Sequence, residues 1–297
     1  MKPTMDYSDT ILDNGGAFQD EFFKRFSLRR APEPLKLDDR ISKDYLFPTF
    51  YNDVTCAIGI FLCSYRRAAE LVSRELHPSV RPVRMTRGRS LVAFSCYEYR
   101  AVMGVPPYNE IAMTIPVMAG TAVNIPILPM IMGGFKRFGF YVFDMPVTSK
   151  ENQIRGNKIW GLPKVTREID MRENDGLCIT EAKEESGESY FRLAVPTEGS
   201  AVPFDVSSNL YTRLGDRVLQ SETNYRATFA VTKFMGRLIS KNSPAQSPSL
   251  AIGNTPSAHK LRELEIENNP FQFRFARHMT SCFDLPDPDF VFDPQKK

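Results

Sequence analysis

The chain has 297 residues with 38 basic and 35 acidic side chains, a formal charge of +3. That near balance excludes a broad phosphate-binding surface, and with it nucleic acid as a partner. With 42% hydrophobic and 25% charged residues, the composition is that of a globular protein able to bury a substantial core. No apolar run reaches the ~18 residues of a membrane span. The nearest, at 121–135, is broken by two prolines, an asparagine and a glycine pair, so no membrane partner is expected. The N-terminus lacks an apolar signal region. The cysteines (Cys56, Cys63, Cys96, Cys178, Cys282) are scattered without a C-x-x-C pattern, as reduced thiols of a cytoplasmic protein would be.

Taken in chain order, residues 1–43 read as an N-terminal extension. Within it, Phe18, Phe22, Phe23 and Phe26 recur at helical spacing through FQDEFFKRF. The spacing predicts a short amphipathic helix whose apolar face packs on the body of the chain or on a partner subunit. Residues 44–297 read as one β-rich domain. Alternation or short apolar runs mark strands in CAIGIFLCSY, SLVAFSCYEY, EIAMTIPV, FGFYVFDM, LCITEA and SYFRLAV. Turn signals at Gly104, Gly133-Gly134, Asn174-Asp175-Gly176 and Ser186-Gly187 punctuate them.

Two stretches prefer helix. In YRRAAELVSREL (65–76), Ala68, Leu71, Val72 and Leu76 share a face and His77-Pro78 closes the element. Further on, Thr255 stands as an N-cap before Pro256 at the first helical position, leading into HKLRELEI. The polar SKNSPAQSPS (240–249) reads as a loop. Many strands with few helices and no βαβ alternation predict an antiparallel, β-rich α+β fold with peripheral helices. The Phe18–Phe26 face and the C-terminal FDLPDPDFVF (283–292) put apolar groups near both chain ends, from which a homo-oligomer is expected.

Phosphate-loop, dinucleotide, zincin and nucleophile-elbow motifs are all missing, and His77, His259 and His278 lack metal-ligand spacing, so neither cofactor nor metal is expected. The cluster Arg81, Arg84, Arg87 and Arg89 reads as a solvated turn and edge strand. Two segments carry chemistry. In GNKIWGLPKV (156–165), Lys158 reads as a solvated turn residue, whereas Lys164 follows Trp160, Gly161, Leu162 and Pro163 and precedes Val165. A lysine in such company is either a snorkelling surface residue or a desolvated one. Desolvation disfavours the ammonium, and the neutral amine can attack a carbonyl to form an iminium, an electron sink. In GVPPYNEIAMTIPV (104–117), Tyr108, Asn109 and Glu110 stand at the mouth of an apolar strand. There a carboxylate can sit in solvent, hold a polar ligand group or move a proton.

Together the two segments resemble the acetoacetate decarboxylase family, itself the standard example of an activated lysine. The run from Gly156 through Trp160 to Pro163-Lys164 is similar to the family's glycine-to-lysine segment, in which the lysine forms the Schiff base. Tyr108, Glu110 and Ile115-Pro116 match its second motif. The helix at 65–76 with His77-Pro78 is similar to the family's early helix. The resemblance implies a cone-like antiparallel barrel, Lys164 as nucleophile, and Glu110 as acid/base or orienting group. It further implies Tyr108, Asn109, Trp160, Tyr97 and Ser95 as substrate contacts.

The sequence also departs from the family pattern. Ungapped counting puts Ser95 where the family carries a second glutamate, and Glu98, three residues on, points to the other face of a strand. The stretch 51–60 lacks the arginine of the first core strand, and Val165 stands where a second lysine would follow. A member that keeps the iminium and changes the reaction is expected: a lyase acting on a small oxo compound or keto acid, by decarboxylation or by aldol and dehydration steps. Met113, Met118, Met130 and Met132 suit an apolar substrate or the core. The alternative is a non-catalytic small-ligand binder on the same scaffold.

Overall fold

The computed structural model describes residues 1–120, 137–240 and 248–292. The readings at 121–135, including Met130, Met132 and the Gly133-Gly134 turn, and most of the loop at 240–249 lie outside the described residues. In chain order the strands are β1–β4 (Arg29–Arg30, Leu35–Lys36, Ser42–Lys43, Leu46–Phe47), β5 (Thr49–Ser64), β6 (Val80–Pro82), β7 (Arg89–Val102), β8 (Tyr108–Ala119) and β9 (Phe138–Val147). There follow β10 (Lys164–Thr166), β11 (Glu168–Asn174), β12 (Leu177–Lys183), β13 (Ser189–Pro196), β14 (Ser200–Leu214), β15 (Arg217–Lys233), β16 (Leu250–Ile252) and β17 (Pro270–Pro286). The described α-helices are α1 (Tyr65–Glu75), α2 (Lys150–Trp160) and α3 (His259–Glu263).

Seven strands close into a barrel in the order β9-β14-β15-β17-β5-β7-β8, the ring being completed by the β8–β9 pairing. An odd number of strands cannot close with antiparallel neighbours alone, so one seam must be parallel. It lies between β14 and β9 and is only two residue pairs long, Leu210 with Phe140 and Tyr211 with Tyr141. Beyond it β10 takes over the same edge of β9, pairing Lys164 with Met145. The closure problem thus leaves a gap in the wall that Lys164 fills.

The outer face of the barrel is covered. The sheet β11-β12-β13-β16 and helix α1 pack on it through Ala57, Phe61, Phe94, Ile111, Phe191, Leu193 and Leu71. Helix α1 begins at the Ser64 side chain, which accepts from the Arg67 amide, and buries Ala68, Leu71 and Val72 as its spacing predicts. At the later helix, Thr255 does not cap with its side chain; a 3-10 turn at Pro256–Ala258 precedes α3. Among the described residues no helix is long and apolar enough to cross a membrane.

The N-terminal phenylalanines do not form the expected helix. The Asp20 carboxylate accepts the Phe22 amide at 2.7 Å, closing a turn, and the chain passes through a single 3-10 turn at Phe23–Arg25 before extending at Phe26. Phe18, Phe22 and Phe23 are nonetheless buried, packed against Phe50 and Cys282 of the barrel. Phe290 and Phe292 likewise lie on the outer core. Phe18, Phe22 and Phe23 are thus covered by the chain itself, whereas Val291 of the C-terminal segment is 74% exposed.

Candidate active site

The barrel interior holds a cavity of about 210 Å³. Strand alternation decides what faces it: Ser95, Tyr97 and Tyr99 from β7, Glu110, Ala112 and Thr114 from β8. A larger groove of about 690 Å³ runs beside residues 29–36 and α2. Its cations are already engaged, Arg29 with Asp284, Arg30 with Asp44, and Lys43 with Glu151. The lumen is therefore the place where unspent chemistry gathers.

Lys164 enters the lumen with its Nζ 2.5 Å from Glu110 Oε2, and the two residues are only 7% and 5% exposed. The local sequence explains how. Ser149 caps α2 by accepting from the Asn152 amide, and Gly161, at φ +62°, ends it in the left-handed conformation that favours glycine. A Cβ on Gly161 would also lie 2.3 Å from the Arg213 carbonyl oxygen. Asn157 Oδ1 accepts from the Lys164 amide at 3.2 Å and its Nδ2 donates to the Lys164 carbonyl at 3.3 Å, holding the lysine backbone to the helix. Gly156 lets the lysine stem lie flat on α2: a Cβ there would sit 2.4 Å from Lys164 Cδ. Gly156, Asn157 and Gly161 all belong to the GNKIWGLPK run, and each serves the delivery of one side chain.

Around the ion pair, Tyr99 donates its hydroxyl to Glu110 Oε1 at 3.3 Å, and the Tyr108 ring lies 5.8 Å below the Lys164 ammonium. Burial pushes the phenols of Tyr97, Tyr99 and Tyr108 well above the usual tyrosine range, so they remain protonated and available as donors.

Tyr97 and Ser95 stand on the cavity wall, and Glu98 on the opposite face pairs with Arg100. Three expected substrate contacts do not line the cavity, the first being Tyr108, which is buried under Lys164. Asn109, next to Glu110 on the strand, is turned outward by the alternation and donates to the Ile169 carbonyl at 3.1 Å. Trp160 lies behind the wall: its ring stacks on Phe283 at 4.9 Å and its indole N–H donates to the Asp284 carbonyl at 2.7 Å. The apolar surround expected from Trp160, Leu162 and Val165 reduces to Leu162, since Val165 faces outward on β10.

Sequence reasoning missed Tyr99, whose signal was its i+2 relation to Tyr97, and Asn157 and Gly156, which lay inside the motif without a role. It also missed Arg274, which lines the cavity from β17 in register with Ile58 of β5. Among the described residues no cluster of three or more His, Cys, Asp or Glu side chains is arranged to hold a metal ion.

The profile of the family described as "Acetoacetate decarboxylase (ADC)" matches residues 33–228, more than half of the chain. The chain belongs to the acetoacetate decarboxylase family. No curated protein gives a significant sequence match. Among solved structures, the acetoacetate decarboxylase of Legionella pneumophila is 13% identical with a TM-score of 0.51, over 81% of this chain and 86% of that one. A second acetoacetate decarboxylase is 13% identical with a TM-score of 0.52, over 84% and 91%. The enduracididine biosynthesis enzyme MppR, complexed with pyruvate, is 10% identical with a TM-score of 0.50, over 80% and 90%. At these identities the likeness is one of fold. The cone-like β-barrel implied by the two motifs is thus the architecture of this family member.

Proposed function

We propose that this family member is a lyase that forms a Schiff base through Lys164 on a small oxo compound or keto acid. The observation that carries the reading is the buried Lys164–Glu110 pair, 2.5 Å apart inside the barrel. An amine that must attack a carbonyl has to lose a proton first, and the carboxylate within hydrogen-bond reach is its acceptor. The lone pair then attacks the carbonyl carbon, and nitrogen passes a proton to the new alkoxide. Glu110 returns its proton to the carbinolamine hydroxyl, which leaves as water and yields the iminium. The pair has then traded one ammonium for one iminium with no net proton change. When a C–C bond to the neighbouring carbon breaks, as CO2 or as an aldehyde departs, its electron pair flows into the iminium to give an enamine. Protonation at carbon and hydrolysis release the product. Tyr99 holds the second oxygen of Glu110 and orients it for both transfers.

Both decarboxylation and aldol chemistry use this electron sink. The aldol branch draws support from the MppR complex with the condensation product of pyruvate and imidazole 4-carboxaldehyde. A non-catalytic binder would instead present a solvated ammonium to its ligand, which the burial of Lys164 disfavours. Borohydride reduction in the presence of keto acids, followed by peptide mass mapping, tests the proposal. The expected adduct is on Lys164 and is absent from Lys164→Arg, because a guanidinium cannot form the iminium. Trapping on another lysine, or none with any oxo compound, would refute it.

A further inference from the structure

The cavity contains a charge that the Lys164–Glu110 pair does not balance. Of the described residues lining it, only Glu110, Lys164 and Arg274 are ionised, because the tyrosine phenols and the Cys56 thiol are held protonated by burial. Lys164 and Glu110 cancel, which leaves one positive charge on Arg274. Among the described residues no carboxylate forms an ion pair with that guanidinium. Its Nη2 donates to the neutral Gln272 Oε1 at 3.1 Å, the guanidinium also hydrogen-bonds the neutral Tyr225 hydroxyl and lies over the Phe204 ring at 4.9 Å, and its Nε is buried without a hydrogen-bond partner. A partly buried charge without a carboxylate and an unsatisfied buried donor are both costly in an apolar setting; Arg155 also has an unpartnered Nε, but Arg274 lines a cavity that a ligand can fill.

Register places this group relative to the proposed nucleophile. Arg274 pairs with Ile58, Ile58 with Ser95, and Ser95 with Ala112, forming one row across β17, β5, β7 and β8. The row two residues on runs through Cys56, Tyr97 and Glu110. Arg274 therefore lies one lumen-facing row, about 7 Å along the strands, from the row that holds Glu110. Burial also lowers the tendency of Arg274 to stay charged, a cost that a bound anion would relieve.

We propose that Arg274 binds the carboxylate of the substrate, so that the ligand of this cavity is a small monoanionic oxo acid with an apolar remainder rather than a neutral ketone. The cavity of about 210 Å³ lies below the ~300–1,000 Å³ of sites for drug-sized ligands, which limits the ligand to a small molecule. The net single positive charge admits one carboxylate and leaves a dianion unmatched. The substrate oxygen atoms complete the Nε that the chain leaves open, and a planar guanidinium suits a carboxylate better than an ammonium would. The inference rests on the Schiff-base reading for the role of its ligand, but its own claim is anion recognition.

The test uses three probes of matched chain length: 2-oxohexanoate, 5-oxohexanoate and neutral 2-hexanone. Borohydride-trapping efficiency and equilibrium binding by calorimetry are measured on the full chain. For at least one of the two acids, Arg274→Met is expected to lose about tenfold or more in trapping and affinity relative to its change with 2-hexanone. Arg274→Lys should recover only part of that loss. Arg274→Gln, close in size and uncharged, gives the same comparison if the methionine variant does not fold. An equal loss for acids and ketone, or no loss for either acid, overturns the inference. If no probe is trapped by the unaltered protein yet an acid binds in an Arg274-dependent way, anion recognition stands and the Schiff-base reading falls. If neither acid binds, the inference falls.

Discussion

Gly156→Ala separates delivery of the lysine from stability of the helix that delivers it. A Cβ at this position would lie 2.4, 2.8 and 3.0 Å from Cδ, Cε and Cγ of Lys164. Carbon atoms in contact prefer about 3.5–4.0 Å, so the middle of the lysine stem must shift by roughly 1 Å. Its far end is not free to absorb the shift, because Nζ is held 2.5 Å from Glu110. Misplacing a reacting group by about 1 Å costs on the order of 100-fold in rate. The backbone of α2 loses nothing: alanine is favoured over glycine in a helix interior by about 1 kcal/mol, which offsets much of the ~1–3 kcal/mol of crowding. The expected outcome is a roughly 100-fold slower borohydride trapping of a keto acid with a melting temperature within a few degrees of the parent. Gly161→Ala, by contrast, meets the Arg213 backbone at 2.3 Å and should destabilise the fold outright. Unchanged trapping in Gly156→Ala would show that the lysine stem does not depend on the glycine, and would refute the packing argument.

Further outcomes follow from the same contacts. Glu110→Gln removes the proton acceptor while keeping the shape, and the rate of trapping should fall by about 100-fold or more. Either Glu110→Gln or Lys164→Met alone should lower the unfolding free energy, by as much as about 3 kcal/mol, whereas the double substitution should recover most of it, since it leaves no buried charge unpaired; additive losses in denaturant unfolding would contradict the pairing. Asn157→Leu strips the Lys164 backbone of both side-chain bonds and should slow trapping more than Asn157→Asp, which keeps the acceptor for the amide; equal rates would count against a positioning role. At Asp144, burial pushes the carboxyl up from 3.8 to about 6 against the pull of Lys260. The folded protein thus holds this proton more tightly than the unfolded chain, so the contribution favours folding below about pH 4 and is lost as pH rises through about 6. Asp144→Asn should abolish a stability difference of at most about 3 kcal/mol between pH 4 and pH 8, measured by denaturant unfolding; a variant with the parent's pH dependence would refute the assignment.

The barrel makes plain why some of the site was legible and some was not. Glu110 and Lys164 were found because their two segments together match the family's motifs; read alone, each segment left a solvated surface residue open. Ser95 and Tyr97 came from the family resemblance, and alternation on β7 is what puts both on the lumen face. Helix α2 was missed because its inward face carries Glu151, Asn152, Arg155 and Gly156, polar residues and a glycine that are all buried, so no amphipathic pattern announces it. Glu151 is held there by Lys43 and Tyr45, and Arg155 donates from its two Nη atoms to Asn152 and Thr49 while its Nε has no partner. In β17 the alternation of PFQFRF is clear, but the usual inference sends Gln272 and Arg274 to solvent. In this fold the apolar face packs outward under the second sheet, and the polar face lines the lumen. The pattern gives the period and not which side is water. The N-terminal phenylalanines failed for a different reason: helical spacing over nine residues was outweighed by one Asp20 turn.

A crystal structure of the protein with a bound oxo acid tests the role of Lys164 most directly. Electron density continuous from Lys164 Nζ to the former carbonyl carbon, with Glu110 released from the amine, is the predicted result. A fully occupied ligand lying apart from Nζ, with the Lys164–Glu110 pair intact, would contradict it.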